Sequence, residues 1–333
     1  MSTIRLAHGG GGRETNELLS SLVRRHLGNP ILDKMEDGAK LTVGNDIVFT
    51  TDSFVVKPLF FPGADIGKLA VCGTVNDLAV MGAIPRYISL ALIIEEGFEI
   101  AELDKILESI ASISKQSDVS VVCGDTKVVE RGAADKIFIN TSGIGALRPG
   151  TDFSAANIEP GDTLLVSGPV GDHGVAILSA RNQFNFAAGV ESDCASLLPL
   201  VDALIASGCE IHALRDATRG GLAAVLNEWG MASKVTTLLD EPAVPVRESV
   251  RSACELLGFS PLDLANEGKL VVAVSGRDGA KALAALRGLR LGAEAAIIGT
   301  VEPAGRFPAI RKTAVGSRVI MEMPRGELLP RIC

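Results

Sequence analysis

The chain has 333 residues, of which 47% are apolar and 22% charged, and its formal net charge is −8. This length exceeds what one hydrophobic core usually serves, so we expect two domains. The negative charge argues against general binding to nucleic acids or anionic membranes, and apolar runs such as residues 88–94 are far too short to cross a bilayer.

No basic segment followed by an apolar run opens the sequence, so we expect no secretory signal and a cytoplasmic location. The six cysteines form no C-x-x-C pair, which argues against structural zinc. In a reducing compartment they should remain thiols.

A glycine run lies near the start of the chain. It comprises His8, Gly9, Gly10, Gly11 and Gly12. Such a run sustains neither a helix nor a strand, but its backbone N–H groups can wrap an anion. A helical apolar pattern follows, and a helix N-terminus favours phosphate. No Gly-Lys-Ser/Thr follows, so this is not a P-loop. A merely flexible N-terminus is an equal alternative.

Two short strands are predicted next, at residues 41–43 and 47–51, around a Gly-Asn-Asp turn. The second strand runs into Asp52. A carboxylate at a strand end is well placed to face a ligand. A turn-capping role for Asp52 is the alternative.

Residues 66–82 predict a helix that is apolar on nearly all sides, with Asp65 as its N-cap. Such a helix should be buried, yet it contains Asn76 and Asp77. No Lys or Arg lies one turn from Asp77. Since an unpaired buried carboxylate is very unfavourable, we expect a bound cation or a tertiary arginine beside it.

The first half continues with a strand at 86–94, an amphipathic helix at 100–113, and strands at 119–123 and 137–146. The strand at 119–123 leads into Gly124-Asp125-Thr126-Lys127. Asp125 is thus predicted at a strand end, with Lys127 two positions later. Together, the glycine run, three aspartates on separate elements and a lysine suit a Mg-ATP site, because magnesium prefers carboxylate oxygens and substrate phosphates.

Residues 148–162 have no apolar period and contain two Pro-Gly pairs, so the domain boundary is placed there. We expect an N-terminal ATP-binding and dimerisation domain at 1–150, a C-terminal domain at 160–322 and a flexible tail at 323–333.

In the second half, a strand at 163–167 and helices from 172 and at 196–207 precede the glycine pair Gly220 and Gly221, which opens a helix to about 229. Asp216 adds a fourth candidate carboxylate, although capping that helix is its default interpretation. A helix at 246–257, a polar turn at 266–269, a strand at 270–275, a helix at 279–289 and a strand at 295–301 follow. Glu267 in the turn is a candidate base; a lone Glu in a turn is more often only solvated. Both halves lack a regular βαβα order, so α+β is the predicted class.

The last residues are Pro330-Arg331-Ile332-Cys333. A thiolate is a strong nucleophile, and Arg331 stabilises it while the adjacent carboxylate opposes it. A chance cysteine is the default interpretation of these four residues alone. The predicted Mg-nucleotide site earlier in the chain favours a functional role for Cys333.

Seven motifs together resemble a known family. They are His8 with its glycines, Thr51-Asp52-Ser53-Phe54, Val75-Asn76-Asp77-Leu78-Ala79, Gly124-Asp125-Thr126-Lys127, Asp216-Ala217-Thr218-Arg219-Gly220-Gly221, Asn266-Glu267-Gly268 and the closing Pro-Arg-Ile-Cys333. The sequence resembles, from end to end, the HypE family of hydrogenase maturation factors. The closing motif is the specific part. The others occur more loosely in the wider PurM-like group of aminoimidazole ribonucleotide synthetase, selenophosphate synthetase and thiamine-monophosphate kinase.

The resemblance implies a two-domain PurM-like architecture, a homodimer formed by the N-terminal domains, and an ATP site near that interface with Mg²⁺. It implies that Cys333 receives a carbamoyl group from the carbamoyltransferase HypF. ATP then drives dehydration to a thiocyanate, whose cyanide passes to iron on the HypC–HypD complex and becomes a ligand in [NiFe]-hydrogenase.

The resemblance also implies a role for each candidate site residue. Lys127 and Glu267 would remove protons, and metal would be bound by Asp52, Asp77, Asp125 and Asp216. The nucleotide would be bound by the glycine run with His8 and by Asn76, Thr126, Gly220 and Gly221.

Two rival functions stay open. One keeps the fold and changes the substrate: a selenophosphate synthetase is expected to have a Cys or selenocysteine in the glycine run, which this chain lacks, and a thiamine-phosphate enzyme has no use for a closing thiol. The other is a non-catalytic ATP-binding scaffold on which Cys333 is idle.

Overall fold

The computed structural model describes residues 3–9, 17–34, 39, 41–43, 46–181 and 189–324, excluding the side chains of Ala7, Gly9 and Lys34. The first half is built on a four-stranded sheet. The strands of this half are β1 (Ile47–Phe54), β2 (Phe60–Phe61), β3 (Ala64–Asp65), β4 (Ala83–Glu95), β5 (Ser120–Val129) and β6 (Ile137–Leu147). β2 and β3 form a separate two-stranded hairpin, and the other four strands form the sheet. The order in the sheet is β1-β6-β4-β5, with β4 and β5 parallel and the other neighbours antiparallel. β1 and β5 are therefore the two edges.

In the described part of this half, the π-helix Leu19–Val23 continues into the short α1 (Arg24–Leu27), and α2 (Ile66–Val80) and α3 (Ile100–Gln116) follow. Asp65 is the N-cap of α2, as predicted, and accepts the backbone N–H groups of Gly67 and Lys68. Almost every side chain of α2 is buried, because the helix contributes to the apolar cores of both halves of the chain.

The helices cover one face of the four-stranded sheet and leave the other open. Side chains alternate between the faces of a strand, and the open face carries large apolar residues that are exposed or half-buried. They are Phe49, Ile84, Ile93, Phe138 and Ile144. Phe49 and Ile144 pair at one end of this face, and Ile93 and Phe138 pair at the other, with Asn140 and Ser142 between the two groups. Exposed apolar groups of this kind are typical of an interaction site.

The second half contains a seven-stranded mixed sheet. Its strands are β7 (Thr163–Val166), β8 (Ile211–Asp216), β9 (Thr236–Asp240), β10 (Leu270–Val274), β11 (Ala296–Glu302), β12 (Ala309–Lys312) and β13 (Arg318–Ile320), in the order β13-β12-β9-β11-β7-β10-β8. Its helices are α4 (Asp172–Ala180), α5 (Leu198–Ala206), α6 (Gly221–Ser233), α7 (Glu248–Leu257) and α8 (Gly279–Arg287). α2 packs against β8 and α5, which joins the two halves.

The predicted α+β class is confirmed, and most predicted elements are present. The strand predicted at 41–43 is wrong: among the described residues β1 pairs only with β6, and a strand needs a partner for its backbone groups. Strands β2, β3, β8, β9, β12 and β13 were not predicted, since they are short and lack a clear alternation. No helix among the described residues is both long and apolar enough to span a membrane.

Candidate active site

Four carboxylates from separate parts of the chain line one cavity of about 420 Å³ between the two halves. Asp52 comes from edge strand β1, Asp77 from α2, Asp216 from the end of β8, and Glu267 from the loop before β10. The sequence thus predicted all four residues, and the fold brings them together.

The local structure explains this convergence. Asp52 and Thr50 lie two residues apart on the helix-covered face of β1, and the Thr50 hydroxyl donates to Asp77 Oδ2 at 2.7 Å. Ala217, next to Asp216, is tied to the Glu267 loop, because its N–H donates to the Lys269 carbonyl and its carbonyl accepts the Asn266 N–H.

Burial raises the pKa of all four carboxylates, and neighbouring carboxylates raise it further for Asp77, Asp216 and Glu267. Burial, and then the neighbouring Asp77, raise the pKa of Asp216 to about 7. Burial, followed by the charges of Asp216 and Asp193, raises the pKa of Glu267 well above its ordinary value. The pKa values of Asp52 and Asp77 are also raised, chiefly by burial. Buried like charges of this kind need a cation or protons to coexist.

Two arginines that sequence reasoning did not single out lie at the same cavity, Arg215 and Arg219. Arg215 is paired with Glu228 at 3.0 Å. Arg219 makes no ion pair among the described residues. Its positive charge partly offsets the rise that burial causes in the pKa values of Asp52 and Asp77. Their position next to Asp216 in one motif was the signal that could have identified them.

Gly220 and Gly221 form the turn that leads from Asp216 into α6. Both have positive φ, 76° and 59°, which favours glycine. A Cβ on Gly221 would lie 2.5 Å from the carbonyl oxygens of Leu262 and Leu264. Gly220 is the N-cap of α6, so the default interpretation of Asp216 as that helix's cap is wrong, and its carboxylate faces the cavity.

A second group of predicted residues lies at the other edge of the sheet. Asp125, Thr126 and Lys127 are in the interior of β5, so the expectation that Asp125 ends a strand is wrong. Asp125 and Lys127 are 64% and 65% exposed, and their charges are 4.0 Å apart. None of the three lines the cavity. Strands pair beyond the predicted end at residue 123 because β4 continues alongside β5.

The register gives their distance from the cavity. Across the sheet, Asp52 pairs with Thr141 on β6, Thr141 pairs with Leu90 on β4, and Leu90 pairs with Gly124 on β5. Gly124 is therefore three strand spacings, about 14 Å, from Asp52. The next residue, Asp125, points to the opposite, open face.

His8 lies near this second group. It belongs to the 3-10 turn Leu6–Gly9, which packs beside β5. Its ring is buried, and Nδ1 accepts the Arg5 N–H at 3.0 Å. Gly10, Gly11, Gly12 and Cys333 lie outside the described residues.

Asn76 has a different position from the one expected of a nucleotide ligand. It is buried, its amide donates to the Ala195 carbonyl, and its Oδ1 accepts the Leu197 N–H at 2.7 Å. It does not line the cavity. Asn76 thus joins α2 to residues 192–197, a segment that we call the strap.

Comparison with known proteins now identifies the family. Family models for the AIR synthase related protein match this chain, the N-terminal domain at residues 35–147 and the C-terminal domain at 159–312. Carbamoyl dehydratase HypE of Escherichia coli (strain K12) is 46% identical over 341 residues, with 100% of each chain covered.

Solved structures agree with this result. The crystal structure of hydrogenase maturation protein HypE in complex with ATP has a TM-score of 0.96 at 46% identity, covering 99% of this chain and 100% of that one. The HypE chain in the HypE–HypF complex has a TM-score of 0.81 at 47% identity, covering 92% and 99%. With the predicted two-domain architecture confirmed, the chain belongs to the HypE family of hydrogenase maturation proteins.

Proposed function

We propose that this protein is an ATP-dependent carbamoyl dehydratase that converts an S-carbamoyl group on Cys333 into a thiocyanate, which supplies the cyanide ligand of [NiFe]-hydrogenase iron. The observation that carries the proposal is the cavity of four carboxylates with raised pKa values. It occurs in a chain that is similar over its whole length to carbamoyl dehydratase HypE.

The chemistry requires an activated leaving group. The carbamoyl oxygen attacks the γ-phosphorus of ATP, the bond between that phosphorus and its bridging oxygen breaks, and ADP leaves. The two N–H protons are then lost, the carbon–oxygen bond breaks with departure of phosphate, and S–C≡N remains. The protein thereby loses the elements of one water, while ATP becomes ADP and phosphate.

The acidic cavity fits Mg²⁺. Asp52, Asp77 and Asp216 offer several carboxylate oxygens, and burial followed by the charge of Asp77 raises the pKa of Asp216, which supports a site that favours a bound cation. When bound, Mg²⁺ would neutralise the phosphates of ATP and the charge that develops during transfer. Arg219, at the cavity with no ion pair among the described residues, would add a further positive charge beside them.

Glu267 is the proposed proton acceptor within the same copy of the chain. It is buried at the cavity, and its pKa is raised, so its carboxylate has a high affinity for protons. Lys127 is the second proposed proton-transfer residue, but the register places it on the opposite edge of the sheet.

A homodimer would resolve this separation. We propose that the open apolar face of the four-stranded sheet packs against a second copy. Asp125, Lys127 and the glycine run from His8 would then meet the cavity of the other copy, with Thr126 between them on the edge strand. Gly220 and Gly221 would approach the nucleotide from their own chain, through the N-terminus of α6.

The proposed partners follow the reaction. HypF, which forms a complex with HypE in a solved structure, would carbamoylate Cys333, and the HypC–HypD complex would accept the cyanide. We propose a cytoplasmic location for this sequence of reactions.

Intact-mass spectrometry tests the function. The purified protein is incubated with HypF, carbamoyl phosphate, ATP and Mg²⁺. We expect a carbamoyl adduct that then loses one water, in a step that requires ATP. Cys333→Ala should show neither change yet still bind ATP, whereas the matched thiol variant Cys209→Ala should behave as wild type.

Two results would contradict the proposal. Thiocyanate formation by Cys333→Ala would refute the assignment of the sulfur. Tight ATP binding by the wild-type protein without any dehydration of the adduct would favour a non-catalytic scaffold.

A further inference from the structure

A buried ion pair lies directly behind Glu267 and has no part in the proposed reaction. Lys269 Nζ is 3.0 Å from Asp193 Oδ2, and the two side chains are 10% and 3% exposed. Burying two charges costs hydration energy, and well-packed apolar residues are often as stable in their place. Stability alone therefore does not explain these charges.

The other carboxylate oxygen of Asp193 is hydrogen-bonded to the backbone of Glu267. Asp193 Oδ1 accepts the backbone N–H of Glu267 at 3.0 Å, and the Ala195 N–H donates to the Glu267 carbonyl at 3.2 Å. A Cβ on Gly268 would lie 1.9 Å from the Asp193 carbonyl oxygen. The strap and the Glu267 loop are thus in direct backbone contact, and the strap satisfies both backbone groups of Glu267.

The same strap is anchored in the first half of the chain. Asn76 bonds its backbone at Ala195 and Leu197, and the Ser192 N–H donates to the Pro62 carbonyl at 2.8 Å. The position of Glu267 is therefore linked, through residues 192–197, to the helix that supplies Asp77.

We propose that Asp193, with its charge balanced by Lys269, is a positioning residue that fixes the Glu267 backbone so that the Glu267 carboxylate points into the cavity. This inference rests on the proposed function, because positioning matters only if Glu267 takes part in the reaction. A proton acceptor must lie within hydrogen-bond reach of the proton it removes, and an error of about 1 Å can lower the rate on the order of 100-fold.

Two double variants test the proposal, since both remove the ion pair and they differ in one hydrogen bond. Asp193→Asn with Lys269→Met keeps a side-chain oxygen that accepts the Glu267 N–H. Asp193→Ala with Lys269→Met keeps none. Neither leaves an unpaired charge in the interior.

Dehydration of the carbamoylated protein is measured at varied ATP. We expect kcat of the Ala double variant to be on the order of 100-fold below that of the Asn double variant. The KM for ATP should change little, because the role proposed for Glu267 is proton removal and not nucleotide binding. A merely structural role would lower both melting temperatures without this difference in kcat.

Asp162→Ala is the stability control. It disrupts another buried pair, with His212 at 2.7 Å, and should lower the melting temperature but not kcat. Equal kcat values in the two double variants would overturn the positioning role.

Crystal structures of the two double variants supply a readout independent of the reaction. The Glu267 carboxylate should leave the cavity in the Ala double variant only, and an unmoved Glu267 in that variant would overturn the proposal whatever the activity. Wild-type protein that forms no thiocyanate would refute the proposed function alone, and the crystal structures would still decide the role of Asp193.

Discussion

The two edges of the four-stranded sheet carry different parts of the predicted site. At the β1 edge, Asp52 meets Asp77, Asp216 and Glu267 in a cavity that is partly closed from water. At the β5 edge, Asp125 and Lys127 are largely exposed and face away from that cavity. Burial raises the pKa values of the first group, whereas the charged side chains of the second group are exposed to solvent.

Aspartates with similar sequence surroundings therefore need not share a site within one chain. Asp52 and Asp125 both follow apolar stretches, yet they are on opposite faces of one sheet. If the HypE-type reaction uses both groups, a second copy of the chain has to join them, and the apolar open face is the surface available for this.

Removing a carboxylate at either edge tests whether both belong to one site. We expect Asp77→Asn to lower kcat for dehydration at least 100-fold, as the loss of a group that stabilises transition-state charge typically does. Asp125→Asn should have an effect of the same order. A fall of less than about threefold in Asp125→Asn, measured at saturating ATP and Mg²⁺, would separate the β5 edge from the reaction.

Mixing two inactive variants tests whether the edges meet between copies. Asp77→Asn and Lys127→Ala are each expected to be nearly inactive. After random exchange of subunits, half of the dimers are mixed and each has one intact site, so about a quarter of the wild-type activity should return. No recovery, with exchange verified by native mass spectrometry, would place both groups in the same copy or exclude one of them.

The pH dependence of stability tests the raised pKa of Asp216 at the β1 edge of the sheet. Asp216 has a pKa of about 7 in the folded protein against 3.8 ordinarily, so the folded state retains a proton that the unfolded chain releases between these values. The free energy of unfolding without Mg²⁺ should therefore fall as pH rises from about 4 to about 7, by up to ~1.4 kcal/mol per pH unit.

Asp216→Asn should reduce this slope and raise the melting temperature near pH 8, while it abolishes dehydration. Denaturant titrations at several pH values, with and without Mg²⁺, measure the slope. An unchanged slope in Asp216→Asn would contradict the raised pKa. Asp278→Asn, on a half-buried turn outside the cavity, is the matched control.

The smallest expected effect concerns the open face. Ile93 is 42% exposed on that face, near the end of β4, where it pairs with Phe138, and burying such a side chain contributes about 1–2 kcal/mol. Ile93→Asp should weaken dimerisation at least tenfold, as measured by sedimentation velocity across a dilution series. Leu256→Asp, which changes an exposed leucine on α7, should leave the oligomeric state as it is. A monomeric wild-type protein would refute the proposed assembly.

Composition, periodicity and motif spacing were enough to predict the α+β class and the acidic residues of the cavity. An apolar helix interrupted by Asp77 is a local anomaly, and the energetic cost of a buried charge makes it informative without any tertiary knowledge. The pair Gly220 and Gly221 was informative for a similar reason, because few other residues adopt that backbone conformation.

Which of these residues meet depends on how distant elements pack. Strand order and register placed Asp52 in the cavity and Asp125 about 14 Å across the sheet on its other face. Long-range packing made Asn76 an anchor of the strap and placed Asp193 behind Glu267. Periodicity and spacing report on neighbours along the chain, whereas these contacts join residues more than seventy positions apart, and only the packing of separate elements brings them together.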